Sequence, residues 1–186
     1  MLLIQQHPAT GYAPRTCTNA QAADLTVAFA VDFSTPGELL TKKMAGHRYV
    51  DIPYGMDPTE AARRLYKALR FHQARSLNVA GNGLYTLIQG GWSQESVNVW
   101  VFEVISTAHR HWPIEEIRSG GQTGVDTAGL VSGQVLALKT TGLYPQGYVQ
   151  RGADNVDRMM DPNELRRRID LWAAQISVVG MPAQTA

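Results

Sequence analysis

The sequence predicts an α/β domain built on a mostly parallel sheet with helices on both faces. Three observations carry that prediction. Short apolar runs at 25–31, 77–79, 114–119 and 140–144 alternate with longer helical patterns, and such alternation implies crossover connections between parallel strands. Two Asp-Pro-x-Glu tetrads, Asp57-Pro58-Thr59-Glu60 and Asp161-Pro162-Asn163-Glu164, read as helix starts, with an acidic cap and proline at the first helical position. Two glycine-rich breaks, Ala80-Gly81-Asn82-Gly83 and Ser119-Gly120-Gly121-Gln122-Thr123-Gly124, fall directly after predicted strands.

Taken in order, residues 1–23 mix Pro, Thr, Gly, Asn and Ala without periodicity, so a flexible tail is expected, with a single domain over 24–186. Leu25, Val27, Phe29 and Val31 alternate with smaller residues and read as the first strand. A turn at Thr35-Pro36-Gly37 leads to a short loop or helix carrying Lys42 and Lys43, and His47–Pro53 reads as a second short strand. Ala61, Leu65 and Leu69 form one face of the helix opened by Asp57. Leu77–Val79 is a short buried strand. Ser93 caps a helix whose apolar residues, from Val97 to Ala108, cover a wide arc, and Pro113 stops it. A strand ending near Ser119 precedes the second glycine turn. A helix carrying Val125, Ala128, Val131 and Val135 follows, then a strand at Thr140–Tyr144. Residues 146–160 read as irregular, 162–173 as a helix with Leu165, Ile169 and Trp172 on its face, and Gln175–Val179 as a final strand.

The composition narrows the function classes. Seventeen basic residues against sixteen acidic ones leave a formal charge of +1, which provides no global excess for a broad nucleic-acid or membrane surface. The single cysteine, Cys17, permits no intrachain disulfide and suits a reducing compartment. No metal site is implied, because the five histidines do not fall at zinc-binding spacing. The chain begins with a short apolar stretch and no basic leader, and a cytoplasmic protein is expected.

The residues that carry chemistry cluster at the strand ends. In Ser119-Gly120-Gly121-Gln122-Thr123-Gly124-Val125-Asp126, glycines let backbone N–H groups approach an anion, and the following helix adds unsatisfied donors and partial positive charge. A phosphate is the natural guest. Thr123-Gly124-Val125-Asp126 is also an ordinary capping box, so Asp126 reads either as a structural acid or as a base or ribose anchor. Gly81, Asn82 and Gly83 end another strand, where Asn82 would bond a ribose or base edge or merely occupy a turn. Arg151 is a candidate phosphate ligand in forked geometry, and Tyr144 or Tyr148 a candidate stacking platform. Lys42 and Lys43 are further cationic candidates. A side chain placed at Gly121 is expected to block the ligand with little effect on the fold. No nucleophile–base pair is evident. No resident cofactor is implied beyond a nucleotide-type ligand.

The stretch from Ile117 to Ala128, with Tyr144-Pro145-Gln146-Gly147 after one helix, resembles the molybdenum-cofactor-carrier family. That family belongs to a wider group of Rossmann-like domains shared with Lonely Guy phosphoribohydrolases and DNA-processing protein A, the SLOG superfamily. The family shows a Gly-Gly-Gln-Thr-Gly-x-Asp loop and a later Pro-Lys-Gly turn, in which Gln146 here replaces the lysine. The segment Leu77–Leu87 is similar to an upstream extension in bacterial and phage proteins of this type. The resemblance spans residues 77–151 and implies a Rossmann-like three-layer sandwich, a nucleotide or ADP-ribose-like ligand bound, sequestered or sensed by the glycine loops, and a homodimer or higher homo-oligomer. The loop usually opens its domain, whereas strands and helices precede it here, so a permuted strand order is expected. The Pro-Gly-Gly-x-Gly-Thr-x-x-Glu segment of the phosphoribohydrolases is absent from this sequence. Hydrolysis of an N-glycosidic or phosphate bond, with Asp126 as the candidate acid or base, and carriage of molybdenum cofactor are the alternatives.

Overall fold

The computed structural model describes residues 1–179. Six parallel strands form the central sheet in the order β1-β6-β5-β4-β2-β3: β1 (Leu2–Gln6), β2 (Leu25–Ala30), β3 (Tyr49–Pro53), β4 (Ser76–Gly81), β5 (Glu116–Ser119) and β6 (Lys139–Tyr144). Helices α1 (Tyr12–Ala22) and α2 (Pro36–Ala45) lie on one face. The other face carries α3 (Pro58–Phe71), α5 (Gln94–His111), α6 (Val125–Val135) and α7 (Pro162–Val179), with the single turn α4 (Leu84–Leu87) leading into α5. The result is a Rossmann-like three-layer sandwich; the strand order is not the permuted one expected, because β2 to β6 keep the common doubly wound order β3-β2-β4-β5-β6 and β1 is added at the β6 edge. No helix among the described residues is long and apolar enough to cross a membrane.

The caps legible in the sequence form. The Asp57 carboxylate accepts the N–H groups of Thr59 and Glu60 at 3.0 and 3.1 Å, and Asp161 does the same for Asn163 and Glu164. Ser93 and Ser96 form a reciprocal capping box.

Residues 1–23 are not a tail, which corrects the expectation. β1 pairs in parallel with β6, from Leu2 opposite Thr140 to Gln6 opposite Tyr144, and closes that edge of the sheet. Only Leu2 of β1 is buried, so a five-residue edge strand shows no alternation to read. Helix α1 escapes notice for a related reason. Its buried residues are Arg15, Asn19 and Ala20, and no side chain caps its start. Gln175–Val179 continues α7 as helix rather than forming a strand, with Ile176 one helical turn beyond Trp172 in the same apolar cluster. The segment 146–160 holds a small antiparallel hairpin, β7 (Val149–Arg151) with β8 (Asp157–Met159). Residues 180–186 of the expected domain lie outside the described residues.

The two faces of the sheet differ in chemistry. Leu25, Val27, Phe29, Leu77, Val79 and Ile117 join α3, α5 and α6 in one apolar core. Successive strand residues point to opposite faces, so Thr26, Ala28, Ala30, Asn78, Ala80, Arg118 and Thr141 face α1 and α2. Arg118 donates from Nε to Asn19 of α1 at 3.2 Å, and Asn78 donates to Thr26 at 3.2 Å. One side of the sheet is mainly hydrocarbon, and the other is mainly small and polar. The candidate site lies on the polar side.

Candidate functional site

After β2 the chain moves outward to β3, and after β4 it moves the opposite way to β5. The reversal makes a topological switch point between β2 and β4, where open α/β sheets leave a crevice at the carboxyl ends of their strands. A cavity of about 490 Å³ opens there, between α1, the first turn of α2, the end of β4 and the glycine loop after β5. That volume suits a small-molecule site.

The two glycine breaks meet. Gly83 and Gly124 form an antiparallel bridge, Leu84 N–H donates to Thr123 O at 3.1 Å, and Val125 N–H donates to Asn82 O at 3.2 Å. Gly81, Asn82 and Gly83 therefore border the same cavity as Gly120, Gln122, Thr123 and Asp126. The Asn82 amide is engaged elsewhere. Its Oδ1 accepts Val31 and Asp32 N–H at 2.9 and 3.0 Å, and its Nδ2 donates to Asp32 O at 2.9 Å. Asn82 thus organises the loop that enters α2.

The glycine loop rests on packed side chains below and faces the cavity above. Ser119 is buried and donates its hydroxyl to Val79 O at 2.7 Å. Gly121 has φ +73°, and a Cβ there would strike the Tyr144 ring. Tyr144 is fully buried and is the floor of the loop, not a stacking platform for a base. A side chain at Gly121 would disturb the fold itself, contrary to the expectation. Gln122 donates to Val149 O at 3.2 Å and accepts Arg151 N–H at 2.7 Å, Thr123 donates its hydroxyl to Arg151 O at 2.6 Å, and Gln150 donates to Gly121 O at 2.7 Å. The loop is thereby sewn to β7. Among the described residues, the N–H groups of Gly121 and Thr123 donate to no protein acceptor.

The Thr123–Asp126 capping box does not form. The Thr123 hydroxyl goes to Arg151, and Gly124 occupies the cap of α6 without a side-chain bond. Asp126 instead pairs with Arg15 at 3.1 Å and accepts Gln122 N–H at 3.3 Å. The Arg15 guanidinium lies so close over Gly120 that any Cβ would fall on it. Both members of the ion pair are buried. Burial pushes the Asp126 carboxyl up from its ordinary range, while the Arg15 charge and the Gln122 N–H pull it down.

Four residues of this site escape sequence reading: Tyr12, Arg15 and Asn19 of α1, and Glu38 of α2. Glu38 is 4% exposed and sits in the first turn of α2, where its N–H reaches the Thr35 hydroxyl at 3.4 Å. Glu38 Oε2, Arg15 Nε and Asn19 Nδ2 are shut away from solvent with no hydrogen-bond partner among the described residues. Burial first, then the nearby Asp126 charge, push the Glu38 carboxyl up to about 8. The signal that finds these residues is the period-two polarity of buried strands. Thr26, Asn78, Arg118 and Thr141 mark a polar layer, and a helix covering it must be polar inside.

The other nominated cations divide. Arg151 borders the cavity, yet its guanidinium forks onto Asp157 at 2.8 and 3.1 Å and lies 5.2 Å from the Tyr12 ring centre. Tyr12 donates to the same carboxylate at 2.6 Å. Lys42 and Lys43 lie in the last turn of α2, exposed and away from the cavity lining, with the Lys42 ammonium 5.8 Å from the Tyr49 ring centre. They complement the negative end of that helix.

No family model matches this chain, and no curated protein matches it. Fold and site together define an α/β protein with a cavity of mixed polar and apolar lining at the carboxyl ends of parallel strands.

Proposed function

We propose that this chain binds a phosphate-bearing small molecule of the nucleotide or ADP-ribose class in the cavity between α1, α2 and the glycine loop. One observation carries the reading. Three residues that line one cavity, none more than 9% exposed, carry buried polar atoms with no hydrogen-bond partner among the described residues: Arg15 Nε, Asn19 Nδ2 and Glu38 Oε2. Native proteins satisfy nearly all such groups with protein partners, ordered water or a bound guest. The supporting features are directional. The amides of Gly121 and Thr123 have no protein acceptor among the described residues, the first turns of α2 and α6 both border the cavity, and helix starts favour anions. Arg15 is the guanidinium available to phosphate oxygens, with Arg151 at the rim. The resemblance at the Gly-Gly-Gln-Thr-Gly-x-Asp loop agrees with this ligand class, and sequestration or sensing of such a metabolite belongs to the same reading.

Binding is favoured over turnover because Asp126, the acid nominated for catalysis, is occupied by Arg15 and Gln122. Mass spectrometry of small molecules released from the denatured, purified protein tests this. A phosphate-bearing nucleotide recovered near one per chain supports the proposal. A pterin favours the carrier alternative, and conversion of added nucleotides that is lost in Asp126→Ala favours the hydrolase.

A further inference from the structure

Glu38 is difficult to explain as scaffolding. Its carboxyl makes no hydrogen bond with any described residue, although the residue is almost wholly buried and borders the cavity. It also occupies the third position of a helix whose start opens on a site expected to take an anion. An ionised carboxylate there would repel that anion, whereas a neutral carboxylic acid presents an O–H donor.

We infer that Glu38 is a specificity-determining residue of the cavity: in neutral form it donates a hydrogen bond to an anionic oxygen of the ligand, so phosphate-bearing ligand and one proton bind together. This rests on the proposed ligand class and extends it. The charged and titratable groups facing Glu38 are Arg15 from α1, Asp126 from α6, Asp32 from the β2–α2 loop and Tyr49 from β3. Burial is the largest influence, Asp126 and Asp32 add to it and Arg15 opposes it, and together they raise the carboxyl to about 8. A bound anion raises it further. The sign follows from linkage. The free protein already carries the proton at pH 7 and must take one up at pH 9, so affinity is level below pH 7 and falls above pH 8.

The experiment is calorimetric titration of ADP-ribose into the full chain from pH 6.5 to 9.5, in two buffers of different ionisation enthalpy. The diphosphate of this probe does not titrate in that range. For the native chain, Kd rises toward about tenfold per pH unit above 8, with uptake of close to one proton at pH 9. Glu38→Gln, which keeps a donor of similar shape, binds within about threefold of the native affinity at pH 7, with a flat profile and no uptake. Glu38→Met, which has no donor, weakens binding at least tenfold at pH 7. A flat profile without uptake in the native chain overturns the inference and leaves the binding site standing. Unchanged pH dependence in Glu38→Gln assigns the proton to another group and also overturns it. If ADP-ribose shows no saturable binding to the native chain, the proposed ligand class fails and the inference falls with it. The native profile needs no variant, so a folding defect in either substitution cannot obscure the result.

Discussion

Replacing Arg15 by methionine tests the organisation of the site without any ligand. Arg15 is the sole salt-bridge partner of Asp126 among the described residues, and the two side chains are 10% and 6% exposed. Methionine fills much of the arginine stem and removes the charge, leaving Asp126 buried with only the Gln122 N–H. Breaking one side of a buried pair typically costs about 3–5 kcal/mol. Protonation limits the loss: holding a carboxyl neutral at pH 7 against an ordinary value near 3.9 costs at most about 4 kcal/mol. Burial already raises the native Asp126, so part of that penalty is present before the change, and the expected loss is about 2–4 kcal/mol at pH 7. The deficit shrinks as pH falls toward 4, where unfolded and folded carboxyls are both protonated. Urea unfolding of Arg15→Met at pH 5 and pH 7 measures it, with Arg15→Met/Asp126→Asn as the companion. Removing both charges should recover stability to within about 1 kcal/mol of the native chain. A loss under about 0.5 kcal/mol at pH 7, or one independent of pH, would refute the idea that the pair anchors α1 to the glycine loop.

Gly121→Ala should cost about 2–4 kcal/mol by thermal or urea unfolding, because it combines a positive φ with a collision against the Tyr144 ring; an unchanged midpoint would mean the loop is not seated on Tyr144. Tyr144→Phe removes a buried hydroxyl with no partner among the described residues and should be neutral or stabilising by up to about 1 kcal/mol. A loss above that, measured the same way, would reveal a hydrogen bond the structure lacks. Gln122→Ala cuts two bonds between the loop and β7. It should speed amide hydrogen exchange in residues 149–159 at least tenfold while β4 and β5 keep their protection. Uniform exchange across the domain would place Gln122 in the global fold instead.

Much of the fold was legible because the apolar half of the molecule obeys simple periodicities. Leu25, Val27 and Phe29 alternate, Ala61, Leu65 and Leu69 recur each turn, and the Asp57 and Asp161 caps bond as their spacing requires. The glycine loop was legible as a turn, and the cavity does border Gly120, Gln122, Thr123 and Asp126. The polar half was not legible. α1 buries Arg15 and Asn19 rather than an apolar stripe, so it lacks the usual sign of a packed helix. β1 shows one inward residue and depends on β6 for its existence. Side chains read as ligand contacts proved to bind neighbouring backbone, Asn82 to the α2 loop and Gln122 to β7. Local sequence does not reveal which acceptor a side chain will find across 27 or 50 residues. The polar alternation of Asn78 and Arg118 within buried strands was the readable clue that a polar layer needed a polar cover.

The central claim is that a phosphate-bearing guest enters the cavity between α1, α2 and the glycine loop. A nitrogen-15 NMR titration of the full chain with ADP-ribose addresses it by position. Saturable shifts at the Gly37 and Gly120 amides and at Arg15 Nε–H are the predicted result. Shifts confined to the separate groove beside Leu165, Ile169 and Trp172, or none at any concentration tried, would contradict it.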